Sequence, residues 1–300
     1  MILRLMPKSL MFSFFTYALV FNNSAWAERT LTWAGCGVTK TAFMAELAQA
    51  YEKRAGVKIN IKGGGATLGI RGTAAKKYDM GGTCRYTIEG NNQERGVLLK
   101  PVAWDALAVI VNKKNNVANL SIEQIKGIFT GRIKNWGEVG GDRAPIELYV
   151  RSGKISGVES AVRTLLFDNK NMEFHSAAKQ FPDTAPLETA IEENANAIGM
   201  SGVSSARKRN LKLLNIEGKE PSFDNIKAGT YVLYRPLYLV LATSETRTDV
   251  LNFVKFTHSA QGRQILRDNG TLPYLDALHL VLKQVDQYQA AKDTTMAAQQ

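Results

Sequence analysis

The sequence predicts an α/β fold built as two lobes, and three observations carry that expectation. Short apolar runs of strand character alternate with stretches of helical spacing, the pattern of a mostly parallel sheet wound by right-handed crossovers with helices on both faces. Glycine-rich turns follow the first three runs, in AGCGVTK (residues 34–40), GGGATLG (63–69) and GGTCRYT (81–87). Two long extended runs, PVAWDALAVIVNKKN from Pro101 and YVLYRPLYLVLA from Tyr231, bracket a middle unit, as in a chain that crosses to a second lobe and returns.

The elements follow in order. Arg4 and Lys8, the apolar run LMFSFFTYALVF and the small residues of SAWA have the layout of an export signal cleaved after Ala27. That apolar run is shorter than the roughly 20 residues of a spanning helix, so the mature chain is expected to be periplasmic and free of the membrane. RTLTWAG is a strand stopped by glycine, and Phe43, Met44, Leu47, Ala50 and Tyr51 then recur at helical spacing up to Gly56. VKINIKGGG alternates as a strand, ATLGIRGTAAKK forms a second helix, and YDMGGTC a third short strand. In such sheets ligands sit at the carboxyl ends of the strands, where strand order reverses. A strand order of two, one, three brings Cys36 and Cys84 side by side at that edge. Beyond the first long run, LSIEQIKGIFTG reads as a helix opening at Ser121, APIELYVRSG as a strand, and SGVESAVRTLLF as a helix opening at Ser156. NAIGMSGVSS gives a further strand and turn, TDVLNFVKFTHSAQGRQILRDNG is amphipathic and helical up to Gly270, and the polar end AAKDTTMAAQQ reads as a frayed tail.

Removing residues 1–27 takes away Arg4 and Lys8 and no acid, so the formal charge falls from +11 to +9 on 273 residues. The basic residues are scattered, and the one dense stretch, SARKRNLK, reads as a solvated turn; this favours a small anionic ligand and gives no nucleic-acid motif. Turns that open helices present backbone N–H groups and the positive end of the helix dipole to anions. Residues 35–41, 63–69 and 151–157 are three such cradles, and Arg151 offers a fork that holds a tetrahedral oxyanion. His175, His258 and His279 lack ligand spacing, Ser156 has no visible triad, and no cofactor is implied; no catalytic residue is assigned. Trp104 and Trp136 are expected to pack, and Glu192 and Glu193 to be solvated.

Several segments resemble, in order, the signature segments of the periplasmic phosphate-binding proteins of phosphate ABC transporters: YEKRAGVKINIKGGGATLGI, YDMGGTCRYT, PVAWDALAVIVN, SIEQIKGIFTGRIKNWGEVGG, YVRSGKISGVES and NAIGM. The resemblance implies a two-lobed periplasmic binding protein of type 2, with the lobes at 28–105 plus 236–300 and at 106–235. Two crossover strands, near Trp104 and Arg235, act as hinge. It implies a ligand set of Cys36, Gly37, Val38, Thr39, Ala66, Thr67, Cys84, Arg85, Arg151, Ser156, Gly157 and Val158 around a small inorganic oxyanion. The expected partner is an ABC permease or a membrane sensor kinase, and the protein is expected to be a monomer. Three positions depart from the family pattern. Cys36 stands where a hydroxyl is usual, Thr83–Cys84 where the family has serine and aspartate, and Val158 where it has threonine. Each missing hydrogen bond is worth about 1 to 3 kcal/mol, so phosphate affinity should fall and selectivity change.

The thiols leave alternatives open. A Cys36–Cys84 disulfide, closing a loop of nearly fifty residues, would stabilise by roughly 4 kcal/mol. Free, the pair would bind a thiophilic metalloid such as arsenite, or a soft metal. Arg85, beside Cys84, would lower its pKa if the side chain turned inward.

Overall fold

The computed structural model describes residues 29–297; the expected export segment at 1–27 lies outside the described residues. Strands Val57–Lys62, Arg29–Gly35 and Met80–Thr83 run parallel in that spatial order, the two, one, three arrangement expected, with Trp33 opposite Met80 and Gly35 opposite Gly82. Tyr234–Ala242 pairs antiparallel with Met80–Thr83 on one side and with Val97–Asn112 on the other. Val97–Asn112 then pairs antiparallel with Ala197–Gly202, which is followed across the sheet by parallel Glu147–Arg151 and Lys179–Phe181.

The 16-residue strand Val97–Asn112 is therefore shared. Its first part pairs with Tyr234–Ala242 and its last part with Ala197–Gly202. From Val102 to Val111 it is buried, which is why it reads as a continuous apolar run rather than an alternating one. Helices cover both half-sheets, and this strand and its antiparallel partner Tyr234–Ala242 carry Trp104 and Arg235. Trp104 and Trp136 are both core residues, their indole N–H groups donating to the carbonyls of Tyr274 and Asn196.

The helices start where the sequence signals them. Ser121 caps Ile122–Phe129 in a reciprocal box with Gln124. Ser156 caps Gly157–Phe167 by accepting from the Glu159 N–H. One expectation is refined and one is corrected. The amphipathic stretch after Thr248 is two helices, Thr248–His258 and Ala260–Asp268, divided at Ser259, whose extended backbone ends one and whose hydroxyl caps the next. The expected frayed end, as far as Ala297, continues a helix, Leu280–Ala297; residues 298–300 lie outside the described residues. Tertiary contacts hold it: Tyr288 sits edge-on to Tyr86 at 4.5 Å, and Lys292 pairs with Glu89. Among the described residues no helix is long and apolar enough to cross a membrane.

Candidate functional site

Each first-lobe turn is shaped by what glycine permits. Cys36 is extended (φ −71°, ψ 150°) and caps the helical run that begins at Gly37, its sulfur accepting from the Thr39 N–H at 3.4 Å. In the second turn Gly64 (φ 141°) and Gly65 (φ 85°) adopt backbone that side chains disfavour, and they deliver the helix Gly65–Ala74 with Ala66 buried in its first turn. In the third, a Cβ on Gly82 would lie 2.1 Å from the Trp33 ring, so only glycine lets this strand pass the indole and project Cys84.

The second lobe brings Arg151 and the Ser156–Gly157 turn to the same edge. Arg151 ends its strand, and its N–H donates to buried Glu159 Oε1 at 2.7 Å. Its Nη1 donates to the Phe181 carbonyl at 3.4 Å and stands 3.6 Å from Asp183 Oδ1. A Cβ on Gly65 would be 3.9 Å from Arg151 Nη2, which places the guanidinium across from the second turn. A Cβ on Gly157 would meet Cys84 Sγ at 2.3 Å and Ala66 Cβ at 3.2 Å, so the amino end of Gly157–Phe167 lies directly against two first-lobe turns.

Cys36 and Cys84 come together, with their sulfurs 3.2 Å apart, both buried and both free thiols; the disulfide is not formed. Thr39 Oγ1 lies 3.2 Å from Cys36 Sγ. The pair divides its protons unequally. The hydrogen bond from Cys36 and the charge of Arg235 bring Cys84 down to about 7 against the cost of burial, while burial and the same bond hold Cys36 well above the ordinary thiol range. A negative charge in this pair therefore resides on Cys84.

Arg85 does turn inward, but its charge is committed elsewhere. Its two terminal nitrogens grip the Glu94 carboxylate at 2.8 and 2.9 Å, and its Nε donates across the cleft to the Ile155 carbonyl at 2.8 Å. Its Nη2 also reaches Thr67 Oγ1 at 3.2 Å. The larger cationic influence on Cys84 is Arg235, which together with Asp105 and Asp183 the sequence reading did not assign to the site. Asp105 and Arg235 face each other across the two crossing strands, fully buried, with Nη2 3.9 Å from Oδ2. A single charge inside each of two otherwise apolar runs is the signal that marks them. Asp183 caps Thr184–Glu193, and its carboxylate faces Gly37 and Gly63.

Of the residues named from sequence, Cys36 touches Cys84, Gly157 lies against Cys84 and Ala66, and Val38 and Thr39 are buried next to Cys36. Val158 is buried in the first turn of its helix, and Ser156 Oγ is used as the cap. Among the described residues no cluster of three or more His, Cys, Asp or Glu side chains has metal-holding geometry.

With this geometry in view, comparisons with known proteins are informative. The phosphate-binding protein PstS of Borreliella burgdorferi is 25% identical over 265 residues, 85% of this chain and 94% of its own. That of Bacillus subtilis is 24% identical over 253 residues, covering 83% and 82%. An ABC-type phosphate transport receptor from Vibrio cholerae superposes with a TM-score of 0.64 at 26% identity, over 81% of this chain and 99% of the receptor. A Clostridium perfringens protein solved with bound phosphate gives a TM-score of 0.75 at 24% identity over 82% and 99%, a likeness that bears on fold alone. The two-lobed architecture and the likeness to phosphate-binding proteins thus agree with the expectation from sequence. The family model described as a PBP superfamily domain matches residues 22–261, and the chain belongs to that superfamily.

Proposed function

We propose that this chain is an exported, periplasmic solute-binding protein that closes on a small phosphate-like oxyanion, for delivery to an ABC permease or for reading by a membrane sensor kinase. The lobes are residues 28–105 with 236–300, and residues 106–235. The ligand set is the N–H groups of Gly37, Val38, Thr39, Ala66, Thr67, Gly157 and Val158, the hydroxyl of Ser156 and the fork of Arg151. Cys36, Cys84 and Arg85 tune selectivity. The reading requires no bond making, and it treats the protein as a monomer.

The observation that carries it is the meeting of turns from both lobes. Gly157, at the amino end of an 11-residue helix, lies against Cys84 and Ala66. Converging helix amino ends with an arginine alongside suit a small anion such as a tetrahedral oxyanion. The relatives named as phosphate-binding proteins support the same class. Titration calorimetry with phosphate, arsenate, sulfate and molybdate is the test. Phosphate or arsenate binding most tightly supports the proposal, and no heat from any oxyanion refutes it.

A second reading is favoured by the thiols. Two sulfurs bonded at about 2.3 Å to one centre stand about 3.3 Å apart at a right angle and about 4.6 Å apart when collinear. The observed 3.2 Å matches the right-angled geometry of a trivalent metalloid such as arsenite. Protection of both thiols from alkylation by stoichiometric arsenite, with no oxyanion binding, would decide for this alternative.

A further inference from the structure

Backbone N–H groups and an arginine are enough to hold an oxyanion, yet the chain's two cysteines stand sulfur to sulfur at 3.2 Å where the first and third turns meet. Cys36 follows the strand Arg29–Gly35 and Cys84 follows Met80–Thr83. These strands are parallel neighbours with Gly35 opposite Gly82, so the backbone holds the two side chains together. A disulfide sets its sulfurs about 2.0 Å apart, so the pair needs an approach of roughly 1.2 Å, shared between two side chains.

The two sulfurs are not equivalent. Cys36 donates its S–H to Cys84, which leaves Cys84 as the acceptor. The Cys84 sulfur lies against Gly157, at the amino end of the helix Gly157–Phe167, where the helix dipole favours negative charge. Arg235 is completely buried, and its Nη1 donates to the Cys84 carbonyl at 3.4 Å and to the Gly157 carbonyl at 2.8 Å. Its Nε and Nη2 have no hydrogen-bond partner, and neither does Oδ2 of Asp105, 3.9 Å away. Arg235 and Arg85 favour a charge on Cys84, and Asp105 opposes it. A sulfur that carries charge easily, beside one that keeps its proton, is the arrangement in which the first attacks and the second resolves.

We propose that Cys36 and Cys84 form a redox-active dithiol that hydrogen peroxide converts to a disulfide, with Cys84 as the attacking sulfur and Cys36 as the resolving one. The Cys84 thiolate attacks one peroxide oxygen. The O–O bond breaks, and its electron pair leaves with the other oxygen as hydroxide, which the proton released from Cys84 turns into water. Cys84 is then a sulfenic acid. The Cys36 sulfur bonds to the Cys84 sulfur as the S–O bond breaks, and the Cys36 proton leaves with that hydroxyl as a second water. Two thiols are oxidised and one peroxide is reduced to two waters. Cys84 is buried beneath Gly157 of the second lobe, so peroxide reaches it when the lobes part. Closure on an anion therefore shields the pair; this arm alone rests on the oxyanion reading.

The test treats the whole mature chain, reduced and then freed of reductant, with hydrogen peroxide, and reads its mass and its alkylatable thiols. Wild type is expected to lose two hydrogens and both thiols within one chain, and to regain them with a dithiol reductant. Cys36→Ser should instead gain one oxygen at Cys84 that dimedone captures, and Cys84→Ser should react at least tenfold more slowly. Should a variant not fold, limiting iodoacetamide on the native wild type decides the roles: label on Cys84 is expected, and label on Cys36 overturns them. Excess phosphate should slow oxidation of the wild type at least tenfold. Wild type that keeps both thiols or links two chains, or a Cys84→Ser rate within threefold of Cys36→Ser, overturns the dithiol assignment. Phosphate that binds by calorimetry without slowing oxidation overturns the shielding. Oxidation as expected in a chain that binds no oxyanion removes the oxyanion reading and leaves the dithiol in place.

Discussion

Gly157→Ala probes lobe closure with one methyl group. Gly157 opens a helix with ordinary helical backbone, so alanine carries no conformational penalty there. The added carbon would lie 2.3 Å from Cys84 Sγ and 3.2 Å from Ala66 Cβ, the first well over an ångström inside normal contact. Overpacking of this kind costs about 1 to 3 kcal/mol. Both clashing groups belong to the other lobe, so the cost falls on the closed form and appears in binding. At 1.4 kcal/mol per tenfold, affinity for phosphate should drop about 5- to 150-fold. The thermal midpoint of the ligand-free protein should move little, because opening relieves the contact. Cys84→Ala removes the sulfur, so Gly157→Ala should cost far less in that background, a coupling on the order of 1 to 2 kcal/mol in a double-mutant cycle. Binding by Gly157→Ala within twofold of wild type, or equal losses with and without the sulfur, would refute the closed-cleft geometry.

Three further outcomes are expected. Alkylation of the reduced protein should show one thiol per chain titrating near pH 7, and Cys36→Ser should move that midpoint, because the hydrogen bond from Cys36 heads the causes that lower Cys84. Burial raises the Glu159 carboxyl to about 7, so the folded state holds this proton more tightly than the unfolded state. That contribution to stability is complete below the unfolded value near 4.5 and is lost as pH rises to about 7; at about 1.4 kcal/mol per pH unit, chemical denaturation should show Glu159→Gln flattening a decline of up to about 3 kcal/mol. Gly69→Ala would place a carbon 2.4 Å from the Gly82 carbonyl oxygen, and melting should report a loss of about 1 to 3 kcal/mol as helix and third strand are forced apart.

Much of the scaffold was readable because local signals and tertiary structure agree. Periodicity locates the strands, Ser121 and Ser156 mark helix starts, and Cys36 and Cys84 come together on the condition of a two, one, three strand order, which the sheet has. What escaped the reading depended on partners that the local sequence does not mark. The destination of Arg85 is set by Glu94, a residue with no local mark. The terminal helix reads as polar because its anchors, Tyr86, Tyr238 and Glu89, lie some two hundred residues or less before it; Gln284 bonds both tyrosines. Asp105 and Arg235 were legible as charges in apolar runs, but their pairing and unpartnered atoms belong to the sheet's register rather than to either run.

The strand Val97–Asn112 is a rail common to both ladders, and it limits how the molecule can be taken apart. A break in it would expose raw hydrogen-bonding edges on each half at once, inviting association rather than yielding two independent modules. Mechanical pulling on the chain ends should accordingly meet one dominant rupture event, and reporter proteins are better grafted at peripheral turns such as the one at Gly90, where an added Cβ would meet nothing within 4 Å.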